Sequence, residues 1–474
     1  MGGSAGIGEA RMKDIVVLIP GITGSVLAKD GKEVWAPTPG AALAAALSLG
    51  GSIKKLQLDG DDPDADDLGD GVVAPRLVPD LHVLPGLDWK IDGYTRVRNE
   101  LVERFGAVPG ENYFEFPYDW RRDNRVAARR LARLSRDWLA AWREKSGNSD
   151  AKLILVGHSM GGIVARLYLE MLDGWRDTKS LVTFGTPYSG SVNALEFLVN
   201  GFRKGWGPLS IDLGDLIRSF TSIYQLLPSY RCVAGPAGSW LKLDDPSIDW
   251  AGTAMDGTRM RDAVTLHRQL RDRVNERLQT DGPGYDIRPV IGDFQRTRWA
   301  ARFDGTAIES VFTMGPDKSL GDGTVPKVSA IPHEAMDGWR NATFVGQRHA
   351  SLQNDESVIN HVGGLLTAAD LTGPDVFPAD YLAVSLEVED VTTMEPMVVR
   401  AKVKGGGAAL TATVEGASGK RSEVPLHGDG WQEATIEGLA AQDYRITVHG
   451  DGVRPVTDVA SVVDLAEVEH SVGI

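Results

Sequence analysis

A serine lies between glycines at residues 157–161, whose sequence GHSMG matches the pattern G-x-S-x-G. In a chain with 55 glycines the pattern alone is weak, but its setting is specific. It directly follows the apolar run 153–156, which predicts a buried strand, and it opens the helical pattern 162–172. A tight strand–turn–helix exposes a serine hydroxyl at the carboxyl edge of a sheet, where the helix N-terminus stabilises negative charge. We therefore predict that Ser159 is a nucleophile, and the alternative is an ordinary glycine-flanked turn.

A serine hydroxyl attacks an acyl carbonyl only when a base removes its proton. In hydrolases that use such a turn, the chain order is serine, then acid, then histidine. His349 comes directly after the apolar run 342–345, in a loop that can reach back to Ser159. His333 precedes that run, and His361 lies inside an amphipathic helical pattern. We predict His349 as the base, with a structural histidine as the alternative.

The acid that orients this histidine is expected after the predicted strand 287–291. Residues 321–326, GDGTVP, form a tight loop that holds Asp322 between two glycines. A carboxylate there could orient His349 and stabilise its protonated form. Asp293, which directly ends the run 287–291, is the main competitor, and Asp317 is a further alternative.

Acyl transfer also needs hydrogen-bond donors for the oxyanion of the tetrahedral intermediate. The backbone N–H of Met160 is one candidate, since it follows the nucleophile. The loop 20–25, PGITGS, offers the amide of Ile22 as the second, with Thr23 as the alternative. This chemistry calls for no cofactor or metal, and a single cysteine, Cys232, excludes CxxC and Cys/His zinc sites.

Apolar runs that alternate with helical patterns must position these residues. The runs 15–19, 153–156, 181–184, 287–291 and 342–345 are apolar on both faces, which is typical of buried parallel strands. The clearest helical pattern, 125–142, carries arginines on its second face, and we interpret that face as solvated. The first part of the chain is therefore predicted to be α/β.

After Pro374 the helical period disappears and apolar and polar residues alternate. The segments 381–389, 397–403, 408–414, 431–436 and 444–448 predict a small antiparallel sandwich of the immunoglobulin or fibronectin type. In residues 438–448, GLAAQDYRITV, Tyr444 resembles the tyrosine that anchors a corner in such domains. We predict two domains, 1–373 and 374–474.

Two insertions interrupt the α/β pattern, at about 34–85 and about 200–285. The first contains the apolar stretch 41–49, which we interpret as a lid surface or a packed helix, and the acidic loop 59–71. The acidic spacing matches no calcium motif, so we predict a solvated loop.

Composition limits the partners of this 474-residue chain. With 65 acidic and 50 basic residues its net charge is −15, which repels nucleic acid and anionic lipid surfaces. Residues 1–14 lack the apolar core of a signal peptide, and 41–49 is far shorter than the about 20 residues that span a bilayer. We expect a soluble protein without a transmembrane segment, in a reducing cytoplasm.

Six segments together resemble the lecithin:cholesterol acyltransferase family: IPGITGS (19–25), PYDWRRD (117–123), GHSMGG (157–162), FGTPYSGS (184–191), IYQLLPSY (223–230) and GDGTVP (321–326). This family of α/β-hydrolases includes phospholipid:diacylglycerol acyltransferases and a lysosomal phospholipase. The resemblance runs from about residue 15 to about residue 361 and does not cover the C-terminal sandwich. It implies Ser159, Asp322 and His349 as the triad, and Ile22 and Met160 as oxyanion donors. The two insertions would then be the lid and cap that hold acyl chains.

The function expected from these observations is a serine esterase, lipase or acyltransferase that acts on lipid esters through an acyl-enzyme. One alternative is an esterase or lactonase for a non-lipid ester, which would use the same residues with a different cap. Another is a regulated effector in which the sandwich recognises a protein or ligand partner. Secreted relatives carry disulfides that this chain cannot form, which suggests a cytosolic, bacterial-type homologue.

Overall fold

The computed structural model describes residues 12–35, 54–79, 82–83, 90–206, 209–314, 317–318, 320–335, 342–367, 382–417 and 419–464. The apolar stretch 41–49 lies outside the described residues, as does the predicted domain boundary at 373–374. The lid interpretation and the boundary therefore stay predictions.

A six-stranded, all-parallel sheet forms the centre of the first domain, in the order β6-β5-β4-β3-β1-β2. Its strands are β1 (Ile15–Ile19), β2 (Tyr113–Glu115), β3 (Leu153–His158), β4 (Thr178–Phe184), β5 (Asp286–Gly292) and β6 (Thr343–Val345). All five predicted apolar runs are strands of this sheet. The edge strand β2 was not predicted, because three residues are too few to show a period.

Helices cover both faces of the sheet, which explains why the strand sequences are continuously apolar. Ile15, Val17 and Ile19 of β1 belong to one buried cluster. Val16 and Leu18 belong to a second cluster on the opposite face. Both faces of the strand are dry, as expected for a parallel sheet between helical layers. The predicted α/β-hydrolase fold is confirmed.

The α-helices are α1 (Thr95–Phe105), α2 (Asn124–Ser146), α3 (Met160–Met171), α4 (Val192–Asn200), α5 (Gly214–Ser219), α6 (Thr221–Tyr224), α7 (Gly257–Thr280) and α8 (Glu356–Thr367). The Asp123 side chain caps α2 by accepting the N–H of Arg125, and the helix ends at Gly147, whose φ is 69°. No helix in the described ranges is long and apolar enough to cross a bilayer.

The predicted insertion 200–285 contains a long helix that packs against the first domain. Its long helix α7 packs beside α3, and the Nε of Arg277 donates to the Oε2 of Glu170 over 2.8 Å. Met260 and Leu266 of α7 lie in the same buried cluster as Leu167 of α3. Helix α7 therefore packs on α3 and belongs to the core of the first domain.

Short strands and 3₁₀ turns fill the connections. The short strands are Leu27–Lys29, Lys32–Trp35, Val72–Val73, His82–Val83, Lys90–Ile91, Arg203–Trp206, Leu209–Asp212, Val233–Ala234, Trp240–Leu241, Gln295–Arg296, Ala300–Phe303, Ile308–Val311, Thr313–Met314, Asp317–Lys318 and Leu320–Gly321. The 3₁₀ turns are Lys54–Leu56, Gly174–Asp177, Pro236–Gly238, Trp250–Gly252, His333–Ala335 and His349–Asn354.

The C-terminal segment forms two facing sheets. Its strands are β7 (Val384–Val388), β8 (Val391–Thr392), β9 (Met397–Val403), β10 (Thr411–Gly416), β11 (Arg421–Pro425), β12 (Trp431–Ile436), β13 (Gln442–Gly450) and β14 (Val453–Val463). The sheets have the orders β7-β9-β12 and β8-β14-β13-β10-β11. The hydroxyl of Tyr444 donates to the carbonyl of Ala440 over 3.0 Å, as in a tyrosine corner. The predicted sandwich is confirmed.

Two arginines that precede α2, Arg121 and Arg122, are buried, whereas Arg133 and Arg136 on the predicted basic face of α2 are exposed. The side chain of Arg121 is 0% exposed, and its Nη2 lies 2.6 Å from Asp119 and 2.8 Å from Asp70. Its Nη1 donates to the carbonyl of Leu56. A guanidinium can be buried when its donors are matched by carboxylate and carbonyl oxygens.

The acidic loop 59–71 is largely exposed, and some of its groups bind Arg121 and Arg122. Arg122 donates from Nε to Asp61 over 3.0 Å, and its remaining donors bind carbonyls of the same loop, those of Asp62, Ala65 and Asp66. Asp66 in turn lies 2.8 Å from Arg133. The sequence does not indicate this pairing, because the partners lie some 60 residues apart along the chain.

We expect Arg122→Ala to destabilise the protein by about 3–5 kcal/mol, because it leaves the Asp61 carboxylate buried without its counter-charge. Arg133→Ala is the matched control, because its pair with Asp66 is 51% exposed on both sides. That exposed pair should contribute less than about 1 kcal/mol. Urea unfolding of the full chain measures both, and equal losses would contradict the assignment.

Candidate active site

The turn that holds Ser159 is strained and closely packed. Ser159 has φ 50° and ψ −123°, a conformation that costs a residue with a side chain on the order of 1–3 kcal/mol. Gly161 makes the turn possible, since a Cβ there would lie 2.4 Å from the carbonyl oxygen of Ile19. Helix α3 starts at Met160, directly after the serine. The turn thus places the Ser159 hydroxyl at the carboxyl end of β3, above a helix N-terminus.

A hydrogen-bonded chain connects the predicted serine, histidine and acid. The Nε2 of His349 lies 3.0 Å from the Oγ of Ser159, and its Nδ1 lies 2.6 Å from the Oδ2 of Asp322. The second carboxylate oxygen of Asp322 accepts the N–H groups of Thr324 and Val325 over 2.9 and 2.7 Å. Asp322 is 1% exposed. This arrangement allows the serine to pass a proton to His349 while a fixed, buried carboxylate holds the imidazole.

The glycine of the segment FGTP makes room for the acid and the histidine. Gly185 follows β4 with φ 56°, and a Cβ there would lie 2.7 Å from Asp322 Oδ2 and 2.9 Å from His349 Nδ1. Any side chain at this position would push the two groups apart. The GDGTVP loop, which carries Asp322, therefore lies against the end of β4 where Asp322 contacts His349.

The competing residues occupy other places. The Oδ2 of Asp293 lies 3.0 Å from the Nζ of Lys327, and its Oδ1 accepts the N–H of Phe294. Asp317 lies in the short strand Asp317–Lys318. His333 contacts Asn275 and Glu334, and His361 is buried within α8. Of these candidates, the structure brings Asp322 and His349 to Ser159.

One predicted oxyanion donor directly follows the serine in the chain, and the other lies in the pocket in front of it. Met160 is the first residue of α3, and the first N–H groups of a helix have no intrahelical acceptor. Ile22 lies in the wall of the pocket in front of Ser159. The turn that presents Ile22 is closed by the N–H of Gly24, which donates to the carbonyl of Gly21 over 3.1 Å. The fallback residue, Thr23, has φ 62° in the same turn and also lines the pocket.

A buried tyrosine and histidine join this turn to the loop of His349, and sequence reasoning assigned neither a role. The Gly21 N–H donates to the Tyr94 hydroxyl over 3.0 Å. The Tyr94 oxygen lies 2.8 Å from His158 Nδ1, and His158 Nε2 lies 3.2 Å from the carbonyl oxygen of His349. A carbonyl only accepts, so His158 carries its proton on Nε2, and Tyr94 donates to Nδ1. His158 stood within the motif, but nothing in the local sequence indicates Tyr94.

In this chain of hydrogen bonds the imidazole of His158 is neutral. Burial, together with the nearby ring of His349, lowers the pKa of His158 to about 3. Burial also raises the pKa of Tyr94 well above its usual range. Both side chains therefore connect the two loops without adding charge beside Ser159.

In front of Ser159 is a narrow cavity of about 60 Å³ with mostly apolar walls. The apolar residues that line it come from four segments and are Ile22, Ala194, Phe197, Ile223, Leu226 and Val325. Two of them belong to the IYQLLPSY segment, which the sequence analysis placed in the cap. In the described part of the chain, no group of three or more His, Cys, Asp or Glu side chains is placed to hold a metal ion.

Residues 88–288 match the family model described as Lecithin:cholesterol acyltransferase. The matched range contains Ser159 and ends before Asp322 and His349. The mouse phosphatidylcholine-sterol acyltransferase is 28% identical over 30% of this chain and 32% of its own length. The phospholipase A(1) LCAT3 of Arabidopsis thaliana is 28% identical over 50% of this chain and 55% of its own length. The chain thus spans about a third to about half of these curated relatives.

Two solved structures show a weaker similarity to this chain. The mature lipase BlEst2 of Bacillus licheniformis shares 14% identity over 75% of this chain and 93% of its own, with a TM-score of 0.31. The phospholipase PlaB of Legionella pneumophila shares 10% identity over 95% of this chain and 92% of its own, with a TM-score of 0.32. The fold assignment rests on the strand order and the serine turn.

The neutral state of His158 predicts how stability depends on pH. In the unfolded chain this histidine binds a proton below its ordinary pKa of about 6.5, whereas the folded protein keeps it neutral to about pH 3. Because the unfolded state binds more protons in that window, stability falls as the pH drops, by up to about 1.4 kcal/mol per pH unit. His158→Gln should make the unfolding free energy less steep between pH 6 and pH 4, as measured by urea titrations. A slope equal to that of the wild type would contradict this.

Proposed function

We propose that this chain, which contains a lecithin:cholesterol acyltransferase-like α/β-hydrolase domain, is a serine enzyme that hydrolyses or transfers the acyl group of lipid esters. The observation that carries the proposal is the Ser159–His349–Asp322 chain at the mouth of an apolar cavity. A nucleophile, a base and an orienting acid are supplied in one place, next to a surface that favours hydrocarbon.

In the first half of the reaction, the Oγ of Ser159 attacks the ester carbonyl and His349 Nε2 takes the hydroxyl proton. The amides of Ile22 and Met160 stabilise the oxyanion that forms. Asp322 holds the imidazole and stabilises its positive charge. When the intermediate collapses, His349 returns the proton to the leaving alcohol, and the acyl group stays on Ser159.

In the second half, water or an alcohol attacks the acyl-enzyme. His349 takes a proton from this acceptor and returns it to Ser159, which restores the free enzyme. Hydrolysis and transfer use the same residues and differ in the acceptor. Mass spectrometry of the lipid products with and without an added alcohol distinguishes them, since transfer gives a new ester.

The apolar walls and the relatives together support a lipid ester as substrate. Phe197 and Leu226 line the cavity beside the serine, where an acyl chain would leave water. The mouse relative is named for phosphatidylcholine and a sterol, and the plant relative is named a phospholipase A(1).

We expect a fluorophosphonate probe to label the wild type at Ser159 and to leave Ser159→Ala unlabelled. Asp322→Asn should lower kcat for a soluble ester by about 10⁴, because the amide holds the wrong imidazole tautomer and cannot stabilise its charge. Asp293→Asn is the matched control, since Asp293 is also buried but contacts Lys327. A larger loss of kcat for Asp293→Asn than for Asp322→Asn, or labelling at another serine, would contradict the assigned triad.

The cavity predicts a dependence on acyl-chain length. Ala194 lines it from α4 and is 4% exposed, so Ala194→Phe would fill space that the acyl chain needs. We expect kcat/KM for long-chain esters to fall at least tenfold, while turnover of an acetate ester stays within about threefold. The acetate ester controls for folding in the same sample. Unchanged turnover of both esters would show that the acyl chain binds elsewhere, and an equal loss on both would show general damage to the site rather than a filled acyl pocket.

A further inference from the structure

The C-terminal sandwich contacts the segment that carries His349. Three consecutive residues of β14 meet this segment, beginning with Thr457, whose N–H donates to the Oε1 of Gln347 over 2.8 Å. Asp458 forms an ion pair with Arg348, and Val459 packs against Ala350 in one buried cluster. The sandwich therefore touches the residues on both sides of the histidine.

The ion pair between Arg348 and Asp458 lies near the contact between His349 and Asp322, since all four residues line one small cavity. The Nε of Arg348 is 2.9 Å from the Oδ2 of Asp458, and the Asp458 side chain is only 2% exposed. The guanidinium also lies against Gly323, where a Cβ would come within 2.9 Å of its Nη1. Arg348 thus bridges the loop of Asp322 and the sandwich. A small cavity of about 30 Å³ lies between Asp322, His349 and Asp458.

A second charged contact fixes the far end of the same segment. Arg445 of β13 donates from Nε to the Oδ1 of the buried Asp92 over 2.8 Å. The backbone N–H of Asp92 donates to the carbonyl of Ala350 over 3.0 Å, and its carbonyl accepts from the side chain of Asn354 over 2.6 Å. The segment 347–354 is thus held between the central domain and the sandwich.

The residues from His349 to Asn354 belong to neither an α-helix nor a sheet strand. His349 begins a short 3₁₀ turn, and its N–H donates to the carbonyl of Asp322 over 2.9 Å. A 3₁₀ turn is less stable than an α-helix or a sheet strand, so its position depends on what packs against it. Catalytic geometry is sensitive to displacements of about 1 Å, which can cost on the order of 100-fold in rate.

We propose that the sandwich is a positioning domain for His349, and that Arg348 and Asp458 are the positioning residues through which it acts. The inference rests on the proposed function, since it assigns His349 as the base. It also gives the sandwich a role within the reaction rather than as a separate recognition module.

The test uses full-length variants and a short soluble ester. Asp458→Asn should lower kcat at least tenfold and leave KM within twofold, and the rate of fluorophosphonate labelling at Ser159 should fall in parallel. Arg348→Gln should have a similar effect, and the double variant should be no worse than either single one, because both break one contact. Arg348→Lys should recover most of kcat. If the contact were merely structural, the variants would lose stability, but kcat would not fall selectively while KM stayed within twofold.

Glu433→Gln is the control, because it breaks the 2.8 Å pair with Arg400 inside the sandwich. Its kcat should equal that of the wild type. If Asp458→Asn does not fold, Arg348→Gln provides the test, since the glutamine amide can still donate a hydrogen bond to the Asp458 carboxylate. Folded variants with wild-type kcat would overturn the proposal. If the wild type itself is not labelled at Ser159, the proposed function fails instead.

Discussion

The close approach of α3 to the end of β1 is the constraint on which the rest of this site depends. Gly161 lies so near the carbonyl oxygens of Ile19 and Pro20 that no side chain fits between them. This contact forces Ser159 into positive φ and sets the helix N-terminus beneath its hydroxyl. It also brings the turn after β1, which carries Ile22, to the front of the serine. This backbone contact therefore brings the proposed nucleophile next to the turn that carries one of the proposed oxyanion donors.

Around that contact, the protein connects its loops with buried polar groups that are matched to each other. Gly21, Tyr94, His158 and the carbonyl of His349 form one line of hydrogen bonds from the β1 turn to the histidine loop. Each group in the line has a hydrogen-bond partner. The low dielectric of the protein interior therefore strengthens these bonds, whereas it would make an unpaired polar group costly. A neutral His158 suits this place, because a second positive charge beside His349 would oppose its protonation.

Although the net charge is −15, arginines form ion pairs that join distant segments of the chain. Arg121 and Arg122 are buried and bind carboxylates and carbonyls of the acidic loop, which is thereby fixed to the start of α2. Arg348 and Arg445 bind Asp458 and Asp92 across the boundary with the sandwich. In both places arginine joins segments that are distant in sequence, because its planar group satisfies several acceptors at once.

Features that depend on neighbours along the chain can be read from the amino-acid sequence alone. The strand–turn–helix at Ser159, the five apolar strands of the central sheet and the tyrosine corner at Tyr444 all follow from local patterns, since periodicity and glycine positions are local properties. The order of residues also limited the acid to Asp322, Asp293 or Asp317 and favoured His349 among the histidines. Only the tertiary structure placed Asp322 beside His349 and Asp293 beside Lys327. It alone paired the arginines with the acidic loop, joined Tyr94 to His158, and set the sandwich against residues 347–350. Those contacts link residues that lie tens to hundreds of positions apart, and no local pattern encodes which distant partner satisfies a buried polar group.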